Sequence, residues 1–329
     1  MEACVLGAGS WGTALAILLG RNGHTVRLHG RSKSHLQSLE SAHENLRYLP
    51  GFALPSNVSV AFGPEDLGKP DLWVIAVPAA GVRSTLDLVA GESPSVVIAA
   101  KGLEPGSGSL LSEVALEVRP EAAIAALSGP NLAVEIVRGI PTAAVAASQD
   151  SAFAFRVCEA FQSRTFRVYA SGDVRGVELA GALKNVLAIG AGMSDGLGFG
   201  DNTKGALLAR GLREMTLLGL ALGGRIETFF GIAGVGDLFA TASSRLSRNY
   251  RVGLRVGEGW PLAEAVSEIG QVAEGVTTAD AALVHSRKLG VEMPVFEAIE
   301  SVLIGRTKPL DAVGMLMERL PKKEDPLPK

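Results

Sequence analysis

The 329-residue chain is poor in the residues that anchor small or metal-bound folds. It has two cysteines, Cys4 and Cys158, both in apolar surroundings. Two thiols cannot build a disulfide framework; both read as small core residues, which suits a reducing cytoplasm. Five histidines are scattered without metal-ligand spacing, so no metal is expected. No stretch approaches the ~20 apolar residues of a membrane span, and candidates such as 217–222 are short and end in glycine. The first residues lack a basic leader, and Gly7-Ala8-Gly9 breaks their apolar run, so no signal peptide is expected. The formal net charge of -3 argues against nucleic acid or an anionic membrane as partner. A small anionic substrate would then need a local basic pocket. What the chain has in quantity is apolar residues, at 47% against 20% charged, enough to fill the cores of two domains and to argue against disorder.

Residues 3–6, 26–29, 58–62, 72–77, 96–100, 124–127, 142–147 and 166–169 read as strands. Between them, 13–19, a stretch from about residue 34, 110–118, 131–138 and 152–161 read as helices. Pro78 is suited to opening a further helix and Asp150 to capping the last. Residues 43–55 form an excursion that turns at Pro50-Gly51. Alternation of this kind predicts an α/β domain with a doubly wound, mostly parallel sheet and right-handed crossovers. After Gly172 the strand signals stop, and 174–193, 202–222, 262–269, 277–289 and 294–304 read as helices. The expected division is therefore residues 1–172 and an all-helical domain of residues 173–329, sharing one active site. The Lys/Glu/Pro-rich tail from Pro321 is expected to be loose.

Gly7-Ala8-Gly9-Ser10-Trp11-Gly12 fits G-x-G-x-x-G between a strand and a helix, the context that gives the motif its value. Gly7 permits the tight turn, Gly9 lets a pyrophosphate approach the backbone, and Gly12 lets the helix lie close to the strand. The N–H groups and dipole of that helix would face the phosphates. This marks the first domain as a Rossmann-type fold that binds NAD or NADP. Ser10 and Trp11 lie where side chains reach the cofactor, although Trp11 reads equally well as core packing. An acid is expected after the second strand to hold the ribose hydroxyls, but the segment is His29-Gly30-Arg31-Ser32. Arg31 and Ser32 suit a 2′-phosphate, so NADP should be accepted; the plainer alternative is an exposed arginine on a polar turn.

Ligands in such sheets lie beyond the C-terminal strand ends. Lys101 follows the apolar run 96–100 there, where its ammonium could meet a substrate oxygen or phosphate. Gly129-Pro130-Asn131 follows the next strand, and Asn131 is equally readable as a helix cap. In the second half, residues 179–190 form an apolar, small-residue helix whose polar side chains are Lys184 and Asn185. An unpaired buried ammonium is costly, so Lys184 must face a cavity, a carboxylate or a ligand. Partial desolvation would suit it to proton transfer, with a structural ion pair as the alternative. Asp237, on the glycine-rich turn 234–238, could hold Lys184 or a substrate hydroxyl, or cap a helix starting at Leu238. Residues 243–249 gather Ser247, Arg248 and Asn249, the chemistry of a phosphate site, with a solvated basic face as the alternative. Glu274 is an isolated acid with little signal of its own.

Together these segments resemble the bacterial NAD(P)-dependent sn-glycerol-3-phosphate dehydrogenases over nearly the whole chain. The resemblance rests on 7–14, Ala100-Lys101-Gly102, Ser128-Gly129-Pro130, Glu178, 182–185, 198–202, Gly211-Leu212, 234–238, 247–249 and 272–275. It implies reversible reduction of dihydroxyacetone phosphate to sn-glycerol 3-phosphate, feeding phospholipid synthesis, in a cytoplasmic homodimer. It implies Lys184 as proton donor and acceptor, and Lys101, Gly129, Asn131, Asp237, Ser247, Arg248 and Asn249 as substrate positions. Ser10, Trp11, Arg31, Lys101, Ala133, Arg248, Val272 and Glu274 match cofactor positions beside the three glycines. In the implied mechanism a hydride reaches C2 of the substrate, Lys184 protonates the oxygen, Lys101 stabilises developing charge, and Arg248 and Asn249 anchor the phosphate. One departure is Asn131, where bacterial relatives often carry threonine and eukaryotic ones asparagine. Two other readings compete: a β-hydroxy-acid-type dehydrogenase with a helical second domain, and a non-catalytic NAD(P)-sensing protein. The 247–249 cluster favours a phosphorylated substrate over a plain acid, and a sensor gives a buried Lys184 no purpose.

Overall fold

The computed structural model describes residues 1–320; the reading of the tail from Pro321 lies outside the described residues. The chain folds as two compact units, Met1–Glu104 with Ser109–Val177, and Pro105–Gly108 with the chain from Glu178 onward.

The first unit holds eight strands among the described residues: β1 (Glu2–Leu6), β2 (Thr25–His29), β3 (Val58–Ala61), β4 (Leu72–Ile75), β5 (Ser95–Ile98), β6 (Ala123–Ser128), β7 (Thr142–Ala147) and β8 (Phe166–Ser171). Helices α1 (Ser10–Arg21), α2 (Lys33–Ala42), α3 (Val82–Leu86), α4 (Leu111–Val118), α5 (Ala133–Val137) and α6 (Ser151–Phe161) connect them. The strands form one sheet in the order β3-β2-β1-β4-β5-β6-β7-β8. Pairing is parallel from β3 to β6 and between β7 and β8. β6 and β7 run antiparallel, so β7 and β8 are reversed relative to the other strands. The sheet grows outward through β2 and β3, then returns to place β4 on the other side of β1. The glycine turn after β1 thus sits at the switch point, where α/β sheets bind ligands.

Both sheet faces are covered, which is why the strands read as continuous apolar runs. Ala3 and Val5 point into one core with Leu15 and Leu19 of α1 and Phe153 and Phe161 of α6. Cys4 and Leu6 point into the other with Trp73, Val82 of α3 and Val114 of α4. Burial pushes the Cys4 thiol up to about 12, opposed by the charge of Arg27, so Cys4 behaves as a small apolar residue. Asp150 caps α6 by accepting from the Ala152 amide at 2.9 Å. The helix expected from residue 131 begins instead at Ala133 with Leu132 as N-cap, so Asn131 caps nothing.

The second unit is helical among its described residues. α7 (Val174–Gly196) leads into α8 (Asp201–Ala221), α9 (Ile226–Phe229), a π-helical turn Ile232–Gly236, α10 (Asp237–Ala242) and α11 (Arg248–Gly257). α12 (Leu262–Ile269), α13 (Glu274–Leu289), α14 (Pro294–Leu303) and α15 (Pro309–Met317) follow. The short α9, and α11 and α15, were not expected from the sequence, and α10 begins at Asp237 rather than at Leu238. α7 is buried almost all round from Val177 to Met193, as its uniformly apolar sequence requires. It crosses α11 with the two backbones touching: a Cβ on Gly253 would lie 1.9 Å from the Ile189 carbonyl oxygen, and one on Gly192 would lie 2.1 Å from that of Tyr250. Among the described residues no helix is long and apolar enough to cross a membrane, and no group of three His, Cys, Asp or Glu could hold a metal ion.

Candidate active site

In the first unit, β1 runs into the glycine turn and α1 leaves it. Gly7 has φ +128°, and a Cβ there would lie 2.5 Å from the Ala76 oxygen. A Cβ on Gly12 would lie 1.8 Å from the Gly7 oxygen. The first and third glycines are thus demanded by the protein itself. A Cβ on Gly9 would meet nothing within 4 Å. The open space at Gly9 and the absence of a side-chain cap on α1 form a cradle that suits the pyrophosphate of a dinucleotide. The residues present fit that cofactor.

The turn is held from the side by residues that carry no motif of their own in the sequence. The Ala8 oxygen accepts from Asn45 Nδ2 at 3.1 Å and faces His35 Nε2 at 3.1 Å. Asn45, fully buried, also donates to Thr13 Oγ1 at 2.7 Å and accepts from the Tyr48 amide at 3.1 Å. The excursion 43–55 is therefore a brace for the glycine turn. Trp11 donates through its indole N–H to the Ala99 oxygen at 2.9 Å, which commits that polar atom to the scaffold. Ser10 opens α1. Arg31 is exposed just beyond β2, and Ser32 caps α2 by accepting from the His35 amide.

β5 ends at Ile98, and the Ala99 and Ala100 amides both donate to the Ile75 oxygen, extending the sheet's hold toward Lys101. Lys101 Nζ donates to the Gly129 oxygen at 2.7 Å. Gly129 has φ +143° at the turn after β6. Both amide atoms of Asn131 are buried with no hydrogen-bond partner among the described residues, an expensive state for a loop amide unless a ligand answers it. Ala133 is half-buried at the start of α5.

In the second unit, Lys184 is 5% exposed in the middle of α7. Its Nζ lies 3.1 Å from Asp237 Oδ1 and donates to Thr241 Oγ1 at 2.6 Å. Thr241 in turn donates to Asp237 Oδ1 at 3.0 Å, closing a triangle. Sequence reasoning misses Thr241, although it lies one helical turn beyond Asp237 on α10 and so on the same face. Asp237 is the first residue of that helix, after the π-helical turn, and not its cap.

Asn185, next to Lys184, accepts from Asn249 Nδ2 at 2.9 Å, and Asn249 Oδ1 accepts from the Gly275 amide at 2.9 Å. This pair ties α7 to the first turns of α11 and α13. Ser247 caps α11, accepting from the Tyr250 amide at 3.2 Å. Arg248 is half-buried in the first turn of that helix; burial lowers its pKa, and the charge of Glu274 at the start of α13 opposes the shift. Val272 is exposed just before α13. A guanidinium, a capping hydroxyl and a helix N-terminus here form an anion site.

A dinucleotide cradle on an α/β unit and a buried lysine–carboxylate pair beside an anion site on a helical unit define an NAD(P)-dependent oxidoreductase. Residues 2–154 match the model of the NAD-dependent glycerol-3-phosphate dehydrogenase N-terminus, and residues 173–314 that of its C-terminus. A glycerol-3-phosphate dehydrogenase [NAD(P)+] of Methylibium petroleiphilum is 44% identical with all of both chains covered. One of Desulfitobacterium hafniense is 46% identical over 97% of this chain and 92% of its own. The crystal structure of glycerol-3-phosphate dehydrogenase from Coxiella burnetii superposes with a TM-score of 0.93 at 38% identity, covering 97% of this chain and 99% of its own. The chain belongs to the NAD-dependent glycerol-3-phosphate dehydrogenase family.

Proposed function

We propose that Lys184 is the proton donor, and the 247–249 turn the phosphate anchor, of the reaction this chain catalyses. That reaction is the NAD(P)H-dependent, reversible reduction of dihydroxyacetone phosphate to glycerol 3-phosphate. The observation that carries the residue assignment is the buried triangle of Lys184, Thr241 and Asp237. Asp237 compensates the ammonium charge, and the Thr241 hydroxyl fixes its direction. When bound, the cofactor supplies a hydride to C2 of the substrate. Lys184 then gives its proton to the former carbonyl oxygen, and the reverse reaction returns that proton to Lys184. Lys101 and the Asn131 amide are assigned to the substrate in the first unit, with Gly129 holding the Lys101 ammonium in place.

Arg248 binds the substrate phosphate, assisted by the Ser247 hydroxyl, whose hydrogen remains free to donate while its oxygen caps α11. Asn249 spends its oxygen and one N–H on Gly275 and Asn185, so its contribution is chiefly to hold Arg248 in register with Lys184. Gly7, Gly9, Ser10, Trp11, Gly12, Arg31, Ala133, Val272 and Glu274 are assigned to the cofactor. Residues 1–172 and 173–329 are assigned as its cofactor and substrate domains. A homodimer, a cytoplasmic location and supply of glycerophospholipid synthesis complete the proposal.

The test is NADH or NADPH oxidation with dihydroxyacetone phosphate. Lys184→Ala is expected to abolish turnover while NADH binding, read by fluorescence, survives. Near-normal turnover in that variant rejects the role of Lys184. Dinucleotide binding without turnover in the unmodified protein would favour a sensor. Light scattering that gives the mass of one chain rejects the dimer.

A further inference from the structure

The buried triangle needs two side chains of α10, Asp237 and Thr241, to face one ammonium, and the turn that leads into α10 is not α-helical. Gly231 is extended and opens it. The Gly236 amide donates to the Gly231 oxygen at 3.1 Å, five residues back. The Asp237 amide is shared between the oxygens of Ile232, again five back, and Gly234. By Ser243 the α pattern has returned, and that amide donates to the Phe239 oxygen at 3.2 Å. Ile232–Gly236 therefore holds one residue more than an α-helical turn. Single wide turns of this kind are rare and are found mostly at functional sites.

The extra residue decides which side chains α10 presents. One residue is about 100° around a helix. An α-helical turn from Gly231 would put Gly236 and Ala240 where Asp237 and Thr241 now stand. Lys184 would then meet a glycine and a methyl group, and its buried ammonium would lose both its counter-charge and its acceptor.

Phe229, the last residue of α9, holds the wide turn in shape. Its ring is fully buried against α8, where a Cβ on Gly219 would lie 1.9 Å from Cζ. Its backbone lies directly beneath the turn: a Cβ on Gly234 would lie 2.0 Å from the Phe229 oxygen and 2.5 Å from its Cα. Those are main-chain atoms, so no side-chain rotation relieves the clash. Gly236 is different. A Cβ there would lie 3.6 Å from the Gly231 oxygen, an ordinary contact, at a helical φ of -61°. We propose that Phe229 and Gly234 are positioning residues for proton transfer: they impose the wide turn that phases α10 so that Asp237 and Thr241 both meet Lys184. The inference rests on the assignment of that buried pair to the reaction.

Gly234→Ala forces the turn and Phe229 apart by about 1 Å, and a misplacement of that size costs up to ~100-fold in rate. Its kcat should fall about 10- to 100-fold, with the KM for NADH and NADH binding by fluorescence unchanged. Gly236→Ala, in the same turn, should keep kcat within about threefold. Circular dichroism and thermal melts establish that each variant is folded. Phe229→Leu keeps the site apolar and carries the test if Gly234→Ala does not fold; its kcat should fall about three- to tenfold. Coupling separates positioning from general damage. Asp237→Asn should lose at least about 100-fold in turnover, and adding Gly234→Ala or Phe229→Leu to it should cost no more than about twofold further. Near-normal turnover in Asp237→Asn overturns the reading of the buried pair and this inference with it. Collapse in Asp237→Asn with unchanged kcat in the folded Gly234 or Phe229 variant overturns this inference alone. So do equal losses in Gly234→Ala and Gly236→Ala, or losses that multiply in the double variant.

Discussion

Replacing Thr241 with valine keeps the shape of the side chain and removes one hydroxyl from a buried ionic pair. That hydroxyl accepts from Lys184 Nζ at 2.6 Å and donates to Asp237 Oδ1 at 3.0 Å. The direct contact of Lys184 with Asp237 at 3.1 Å is left standing. Asp237 is 1% exposed, so water is poorly placed to replace the lost hydroxyl. A hydrogen bond to a charged group is worth ~1.5–3 kcal/mol, and a tightened ion pair would recover part of the two that are lost. A net loss of about 2–3 kcal/mol in holding the ammonium toward the substrate follows. If that loss falls on the transition state, kcat/KM for dihydroxyacetone phosphate drops about 30- to 150-fold. The KM for NADH should not move, because no cofactor group assigned above touches Thr241. Thr241→Ser retains the hydroxyl and should recover to within about threefold of the unmodified protein. Initial rates of NADH oxidation over a matrix of both substrates measure all of this. Unchanged kcat/KM in the valine variant, or a serine variant as impaired as the valine one, would refute the triangle as the device that aims Lys184.

Arg31→Asp should weaken NADPH far more than NADH, since a carboxylate repels a 2′-phosphate but can accept from a ribose hydroxyl; equal losses in KM for the two cofactors would remove Arg31 from the cofactor site. Tyr250, in the first turn of α11, donates to Asp195 Oδ2 at 2.5 Å, and Lys204 Nζ lies 2.7 Å from the same oxygen. Tyr250→Phe should raise the KM for dihydroxyacetone phosphate roughly three- to tenfold with kcat nearly constant, for a hydrogen bond of ~1 kcal/mol that steadies the turn bearing Arg248; a change in kcat alone would contradict it. Glu214 accepts from the Val295 and Phe296 amides at the start of α14, and burial nevertheless raises its pKa to about 7. Because the folded protein holds this proton more tightly than the unfolded chain, the stability from Glu214 is present at low pH and is lost as pH rises from about 4.5 through about 7. Thermal melts across that window should show Glu214→Gln flattening the pH dependence; identical slopes in both proteins would show that Glu214 does not titrate there.

The α/β pattern was legible because it is written in short-range periodicity. Strands buried on both faces appear as apolar runs, and the glycine motif is contiguous. The reversal of β7 and β8 was not legible, since strand direction leaves no mark on an apolar run of six residues. α11 escaped for a different reason. Its sequence, RNYRVGLRVG, carries three arginines and two glycines and reads as a polar cluster of low helix propensity. It forms because Tyr250, Val252, Gly253 and Val256 bury against neighbouring helices. Lys184 and Asp237 stood out because each is a charge in an apolar or glycine-rich setting. Thr241 and Asn45 did not, because a threonine on a helix and an asparagine in a loop are ordinary until their partners are known.

The close crossing of α7 and α11 links these observations. Four glycines, Gly192 and Gly196 on α7 and Gly253 and Gly257 on α11, each place a backbone where a Cβ would fall 1.9–2.4 Å from a carbonyl oxygen of the other helix. Glycine within a helix costs ~0.8–1 kcal/mol relative to alanine, so four of them forgo about 3–4 kcal/mol of local preference. A crossing at ordinary separation would have avoided that cost and packed alanines instead. It would also have carried Asn249 away from Asn185, whose side chains meet at 2.9 Å about one turn before Gly253 and two before Gly192. That amide contact sets the register of the turn bearing Arg248 against the turn bearing Lys184. The glycines therefore do more than close the crossing: they bring the turn of α11 that bears Arg248 against the turn of α7 that bears Lys184, two segments far apart in sequence.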